Sequence, residues 1–191
     1  KAFSNCESLT KIVIGDGVTE IGAEAFYNCS SLSEVILGKN LKNISYYAFA
    51  FCKSLTEISL PDSVAFIDNG SFYSAGLTEI CIPKNVSFLG NEPFVGCVSL
   101  GNITIDDANP YYSNDDRGVV FNKDKTRLLF APKAISGSYT VPDALLNKIQ
   151  SEFTAHYCDD TRAEEIMGRV YKDYGYLCDP HTASGWAAAE D

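Results

Sequence analysis

A 23-residue unit recurs five times in the first 105 residues, and that recurrence constrains the fold more than any single residue does. Phenylalanine returns at Phe3, Phe26, Phe49, Phe72 and Phe94, and cysteine three residues later at Cys6, Cys29, Cys52 and Cys97, with Ala75 in the fourth unit. Leu9, Leu32, Leu55, Leu77 and Leu100 follow, each opening an L-x-x-I-x-I run such as Leu55 to Leu60. A second apolar pair closes most units: Val18/Ile21, Leu41/Ile44, Val64/Ile67 and Val86/Leu89. A deletion before Leu77 shortens the fourth unit to 22 residues. A unit this short buries its apolar side only against copies of itself, so self-similarity at this period predicts a solenoid.

The L-x-x-I-x-I run alternates apolar and polar residues, as a half-buried strand does. In Leu55-Thr56-Glu57-Ile58-Ser59-Leu60 the apolar residues point inward and Thr56, Glu57 and Ser59 outward, and Pro61 and Pro83 end their strands. The G-x-E-A-F-x-N-C stretch, clearest from Gly22 to Cys29, has the i, i+3/i+4 spacing of a single helical or 3₁₀ turn, forming the opposite wall. The expected architecture is an α/β solenoid: a right-handed leucine-rich-repeat coil with a ladder of short parallel strands on one face and helical turns on the other. Its exposed strand positions, Thr10, Lys11, Ser33, Glu34, Thr56, Glu57, Ser59, Thr78, Glu79, Asn102 and Thr104, form the expected binding face.

Fifteen basic against 25 acidic residues give a net charge of −10, which argues against nucleic acid or an anionic membrane surface as the main partner. No apolar run approaches the roughly 18 residues of a membrane-spanning helix. The start shows no basic segment followed by an apolar one; it opens inside a repeat at Lys1-Ala2-Phe3, which leads us to expect a segment upstream. Of seven cysteines, four share one repeat position and stack one per coil. Coils about 5 Å apart permit disulfides, but Ala75 at the same position keeps the size and drops the sulfur, favouring buried free thiols. No C-x-x-C occurs and His156 and His181 lie far away, so zinc is not expected.

Residues 106–143 break the period. Gly118 to Phe121 and Thr126 to Phe130 flank the polar loop Asn122 to Lys125 and read as a β-hairpin, after which Ser138 to Asp143 resembles the start of a sixth coil. The acidic group Asp106, Asp107, Asn114, Asp115 and Asp116 lacks the spaced D-x-D-x-D-G pattern of a calcium loop and reads as a solvated connection. From Ala144 the repeat is gone. Leu145, Leu146, Ile149, Phe153 and Tyr157 fall on one helical face. Thr161 and Glu164 make a capping box for a second helix ending at Gly175, and Ser184 to Ala189 begin a third. The division is therefore a solenoid over 1–143 and a helical tail over 144–191. Solenoid ends need covering, so the helix from Leu145 is expected to cap the last coil, with Leu146, Ile149 and Phe153 against Val120, Phe121 or Val141.

The first part resembles the BspA-like (Treponema pallidum-type) leucine-rich-repeat family. The resemblance lies in Ala25-Phe26-Tyr27-Asn28-Cys29-Ser30-Ser31-Leu32, in the run from Ile58 to Val64, and in the interruption from Asn109-Pro110-Tyr111-Tyr112 to Phe121. It implies a cell-surface or secreted bacterial protein used in adhesion and protein binding, with no catalytic residue, no cofactor, and a host or neighbouring-cell protein as ligand. The tail resembles a C-terminal stretch of threonine synthase, through Phe153-Thr154-Ala155 and Tyr174-Gly175-Tyr176-Leu177-Cys178-Asp179-Pro180-His181-Thr182-Ala183. That enzyme is cytoplasmic and uses pyridoxal phosphate, and the resemblance makes Thr182 the candidate contact to the cofactor ring. The Schiff-base lysine and phosphate loop belong to parts absent from the tail, so it implies an inactive fragment or fusion.

Asp179, His181 and Thr182 otherwise read as a tight turn. Asn28, Asn43, Asn85 and Asn102 begin N-x-S/T sequons, and Asn28 reads as a hydrogen-bonding rung of the repeat. Aromatics gather on the turn side at Tyr46, Tyr47, Phe51, Phe72 and Tyr73. The leading expectation is a non-enzymatic protein-binding solenoid, with the threonine synthase fragment and a self-stacking scaffold as alternatives.

Overall fold

The computed structural model describes residues 1–141. The chain divides into two compact units, Lys1–Lys123 with Leu129–Gly137, and Asp124–Leu128 with Ser138–Asp191. In the second, Thr126 donates from its Oγ1 to Asp124 Oδ1 at 2.8 Å, residues 138–141 hold no strand, and the rest of the expected sixth-coil start lies outside the described residues. The predicted tail helices, with Leu146, Ile149 and Phe153, lie outside the described residues.

The first unit is the solenoid. Two sets of short parallel strands run along it, one from each apolar pair of the repeat. The L-x-x-I-x-I runs give β1 (Lys11–Val13) and, one coil on, β3 (Glu34–Ile36), paired Lys11 to Glu34, and later β6 (Glu79–Ile82) and β8 (Asn102–Ile105), paired Glu79 to Asn102. The closing pairs give β2 (Glu20–Ile21), β4 (Asn43–Ile44), β5 (Phe66–Ile67) and β7 (Phe88–Leu89), an unbroken four-stranded ladder in that order. The expected ladder of short parallel strands is thus present, and a second ladder stands beside it. The continuous one belongs to the closing pairs, whereas the L-x-x-I-x-I ladder stops at β3 and resumes at β6, with residues 55–60 of the third coil in no strand.

The expected helical turns are also absent: the Gly22–Cys29 segment and its copies are runs of tight turns. In an α-helix every N–H bonds along its own axis. Here alternate residues diverge. Ala25, Tyr27 and Cys29 donate to the carbonyls three residues back, while Glu24, Phe26 and Asn28 donate sideways to Tyr46, Ala48 and Ala50 of the next coil at 2.8–2.9 Å. That alternation needs left-handed backbone at every fourth residue. It is found at Glu24 (φ 54°) and Asn28 (57°) and again one coil on at Tyr47 (53°) and Phe51 (61°). Such values are uncommon outside glycine and asparagine, and coil-to-coil hydrogen bonding holds them. The 22-residue unit closes at Gly76, where an added Cβ falls 2.0 Å from the Lys53 carbonyl oxygen, so the deletion brings backbone too close for any side chain.

The core consists of columns of one residue type. Phe3, Phe26, Phe49, Phe72 and Phe94 stack face to face with centroid separations of 5.3, 5.2, 5.5 and 5.8 Å, and Phe130 meets Phe94 edge-on at 6.2 Å. Cys29, Cys52 and Cys97 are buried free thiols, each donating from Sγ to the carbonyl of Phe3, Phe26 or Phe72 at 3.0–3.2 Å. Burial, and then the charge of neighbouring Cys29, pushes the Cys52 thiol up to about 12, and burial pushes Cys97 up to about 11. Unfolding restores the ordinary thiol value of 9.0, so the stability tied to neutral thiols is present below pH 9 and declines as pH rises from 9 towards those folded values. A disulfide reagent at pH 8 is expected to label exposed Cys6 and Cys81 at once, and Cys29, Cys52 and Cys97 only on unfolding. Peptide mass mapping checks this, and rapid labelling of Cys52 in the native chain would contradict it.

Four ion pairs join neighbouring coils: Lys1 to Glu24, Lys11 to Glu34, Lys39 to Asp16 and Lys84 to Asp62, at 2.5–3.1 Å. Exposed pairs of this kind contribute about 0–1 kcal/mol each, so they fix register rather than carry stability.

After β8 the chain makes a three-stranded antiparallel sheet from β9 (Tyr112–Asn114), β10 (Val120–Asn122) and β11 (Leu128–Phe130), in the order β11-β10-β9. The predicted hairpin is thus present, one strand larger. It terminates both ladders through side chains. The Tyr112 hydroxyl accepts from Leu89 N (3.1 Å) and donates to Ser87 O (3.2 Å), standing in for a further strand beside β7. Asn114 Oδ1 accepts from Ile105 N at the end of β8 (2.8 Å). Fully buried Asn109 sits between: its Nδ2 donates to Pro83 O (2.9 Å) and Val86 O (3.0 Å), and its Oδ1 accepts from Tyr111 N (2.8 Å) and Tyr112 N (3.0 Å).

Candidate binding surface

The strand face is built by alternation. Ile12, Val35, Ile58, Ile80 and Ile103 turn into the core, and the residues beside them turn out. Ten of the eleven expected face residues are exposed and Thr104 is half-buried. Ser33, Glu34, Glu57, Ser59, Glu79, Asn102 and Thr104 line one shallow concavity of about 520 Å³, together with Cys81 and the edges of Val35, Ile58 and Ile80. Thr10, Lys11, Thr56 and Thr78 lie on the same exposed face outside it. Thr182 is outside the described residues.

The concavity is centred on the gap in the ladder. No backbone N–H or C=O of Glu57–Leu60 hydrogen-bonds to another backbone group among the described residues, whereas Thr56 O still accepts from Thr78 N (3.0 Å). β3 and β6 thus each present an unpaired edge towards the third coil, the condition under which strands recruit other backbone. Sequence reasoning placed the face residues on the outward side of the strands but missed the gap, because Leu55–Leu60 alternates as well as its neighbours do.

The electrostatics are one-signed. Lys11, Glu34, Glu57, Glu79 and Asn102 occupy one column. Lys11 Nζ neutralises Glu34 at 2.7 Å, while Glu57 and Glu79 have no ion-pair partner among the described residues. The hairpin's acids are spent differently: Asp106 Oδ1 accepts from Ala108 N (2.9 Å), and Asp115 Oδ1 from Arg117 N (3.0 Å) and Val119 N (2.9 Å), which stiffens the loops. Among the described residues no cluster of histidine, cysteine and carboxylate is placed to hold a metal, and no helix is long and apolar enough to cross a membrane. Asn28 is a hydrogen-bonding rung, half-buried where the sequence suggested a buried one, its Nδ2 donating to Asn5 Oδ1 and Glu7 Oε1 at 3.1 Å each.

Stacked coils with a laddered strand face and a tight-turn back wall define a leucine-rich-repeat protein. The chain belongs to the BspA-type leucine-rich-repeat family, whose model matches six copies over residues 1–115. It is similar to a leucine-rich-repeat protein from Eubacterium ventriosum, with 26% identity and a TM-score of 0.65 over 75% of this chain and 38% of that one. A Treponema pallidum leucine-rich-repeat protein is 34% identical with a TM-score of 0.53, over 54% of this chain and 49% of its own. One from Bacteroides ovatus is 36% identical with a TM-score of 0.52, over 53% and 27%. The chain thus spans less than half the length of the structures it matches. Comparison with curated proteins gives no match. The family match ends at residue 115, and no comparison supports the expected threonine synthase resemblance of residues 144–191.

Proposed function

We propose that the solenoid is a non-catalytic protein-binding module of a bacterial surface or secreted protein, used in adhesion, and that its strand face around the third coil makes the contact. The open ladder at Glu57–Leu60 carries this reading, because it places unpaired backbone edges and the uncompensated carboxylates of Glu57 and Glu79 in one exposed concavity. An extended segment bearing lysine or arginine complements both features. Its main chain bonds to the edge, and its cations meet the column that Lys11 meets at the first coil. The repeats supply rigidity, which limits the ordering cost of binding.

The test is binding of the chain to an immobilised panel of extracellular host and bacterial proteins, beside the double variant Glu57→Lys/Glu79→Lys. Both side chains are exposed, so the variant is expected to keep its melting temperature while losing at least tenfold in affinity and reversing its salt dependence. Undiminished binding by the variant would remove the strand face from the account.

A further inference from the structure

The turn face carries a second hollow, of about 330 Å³, lined by Tyr46, Tyr47, Tyr73, Asn69, Asn91 and Glu92. Its size falls at the small end of the roughly 300–1,000 Å³ spanned by small-ligand sites. Repeat register brings these residues together. Tyr46, Asn69 and Asn91 stand in one column on successive coils, and Tyr47, Gly70 and Glu92 in the next. With about 5 Å between coils, an aromatic ring is followed along the solenoid by two planar amides, with a carboxylate beside them.

The aromatic part is held in place. Tyr46 and Tyr47 stack at 4.1 Å and 25°, and Tyr47 tilts against Tyr73 at 5.5 Å. Tyr47 lies against Gly70, where an added Cβ would fall 2.0 Å from Tyr47 Cε1, so the glycine makes the seat for the ring. Its backbone is left-handed, at φ 53°, a conformation that costs a bulky residue energy and is retained where neighbours enforce it. The enforcing bonds run coil to coil, Tyr47 N donating to Asn69 O and Gly70 N to Glu92 O. Tyr46 stays 44% exposed on this support.

The polar part is unspent. Asn69 Oδ1 accepts from Asn91 N at 2.6 Å, which fixes the Asn69 side chain. Its Nδ2, the Asn91 amide and the Glu92 carboxylate have no partner among the described residues. The Tyr47 phenol is held above its ordinary range, first by its hydrogen bond with Tyr46, then by desolvation, with the Tyr46 and Glu92 charges adding to this. Glu92 lines the same hollow as the tyrosine rings.

We propose that this hollow binds a saccharide, with a sugar ring lying on Tyr46 and its hydroxyls bonded by Asn69, Asn91 and Glu92. The C–H face of a sugar is weakly positive and complements the negative face of an aromatic ring. Each sugar hydroxyl both donates and accepts, which matches amides that carry a donor and an acceptor on one plane. A cationic head group would satisfy the tyrosines and Glu92 but leave both amide NH₂ groups facing a ligand with no acceptor. An apolar ligand would leave all three polar side chains desolvated and unpaired. The site is separate from the strand face and stands independently of the protein-binding reading.

The labelled full chain applied to an array of plant, microbial and animal glycans, followed by calorimetric titration with the best-retained glycan, tests it. Saturable binding is expected, weakened at least tenfold by Tyr46→Ala and by Asn91→Ala and largely kept by Tyr46→Phe. Both side chains are exposed, so unchanged melting temperatures separate loss of the site from loss of fold. Glu57→Lys/Glu79→Lys is expected to bind the glycan as the unaltered chain does, so this site and the strand face fail or stand separately. No glycan retained, a retained glycan indifferent to Tyr46→Ala, or tighter binding of tetramethylammonium than of any saccharide would each overturn the proposal.

Discussion

Phe49→Ala is expected to lower folding stability by about 3–5 kcal/mol, the range measured for emptying a buried aromatic site, and Phe3→Ala by less than half of that. Both residues occupy the same repeat position, so the difference isolates packing. Phe49 is fully buried and lies between Phe26 at 5.2 Å and Phe72 at 5.5 Å, with a Cys52 thiol and a Leu55 side chain buried in the same core. Its removal opens a cavity that the stacked coils cannot close, because coil-to-coil hydrogen bonds on each side fix their spacing, as in Phe26 N to Ala48 O and Phe49 N to Ser71 O at 2.7–2.8 Å. Phe3 is 40% exposed and stacks on Phe26 alone. Equilibrium urea unfolding of the two variants beside the unaltered chain measures both values. Equal losses would mean that the phenylalanine column is not one packed stack.

The second large effect is expected at Asn109. Replacing it with alanine leaves the Val86 carbonyl and the amides of Tyr111 and Tyr112 without their side-chain partner at the fully buried Asn109 position, while the Pro83 carbonyl keeps only its bond from Val86 N. Each such orphan costs about 1–3 kcal/mol, so a loss of at least about 3 kcal/mol is expected even after some are rescued by water. The Asn109→Asp variant sharpens the test. It keeps the acceptors for Tyr111 and Tyr112 but turns a negative charge on two carbonyl oxygens, which raises the carboxyl pKa in the folded state. A raised folded pKa means stability that is present at low pH and lost as pH rises through it, so this variant is expected to recover part of its deficit on acidification from pH 7 to 5. A pH-independent deficit, or none, would show that the Asn109 bonds do not anchor the hairpin.

These two sites also mark what the sequence reveals. The phenylalanine, cysteine and leucine columns are legible because their period is fixed and a solenoid forces equal positions to stack. The exposed strand face follows from the same alternation. The second ladder was only partly legible. Val18/Ile21 and its copies show as an apolar pair, but two residues per strand are too few to display a period of two. The turn wall misleads because i, i+3 spacing is shared by helices and by successive tight turns. Left-handed residues such as Glu24, Asn28, Tyr47, Phe51 and Ser74 separate them, and these side chains share no common chemistry. The pause at Glu57–Leu60 leaves no trace in the local sequence. Asn109 was readable in hindsight: it lies 23 residues after Val86, at a position where the repeat places an apolar residue, so a polar side chain there requires partners.

Amide hydrogen exchange on the free chain tests the opened ladder of the third coil. The amides of Ile58, Ser59 and Leu60 are expected to exchange at least tenfold faster than those amides of Glu79–Ile82 that bond to Asn102–Ile105, although Ile58 is as buried as its equivalents Val35 and Ile80. Protection at Ile58–Leu60 equal to that of Glu79–Ile82 would mean that the ladder runs unbroken. The strand face would then offer no free backbone edge for a partner to extend.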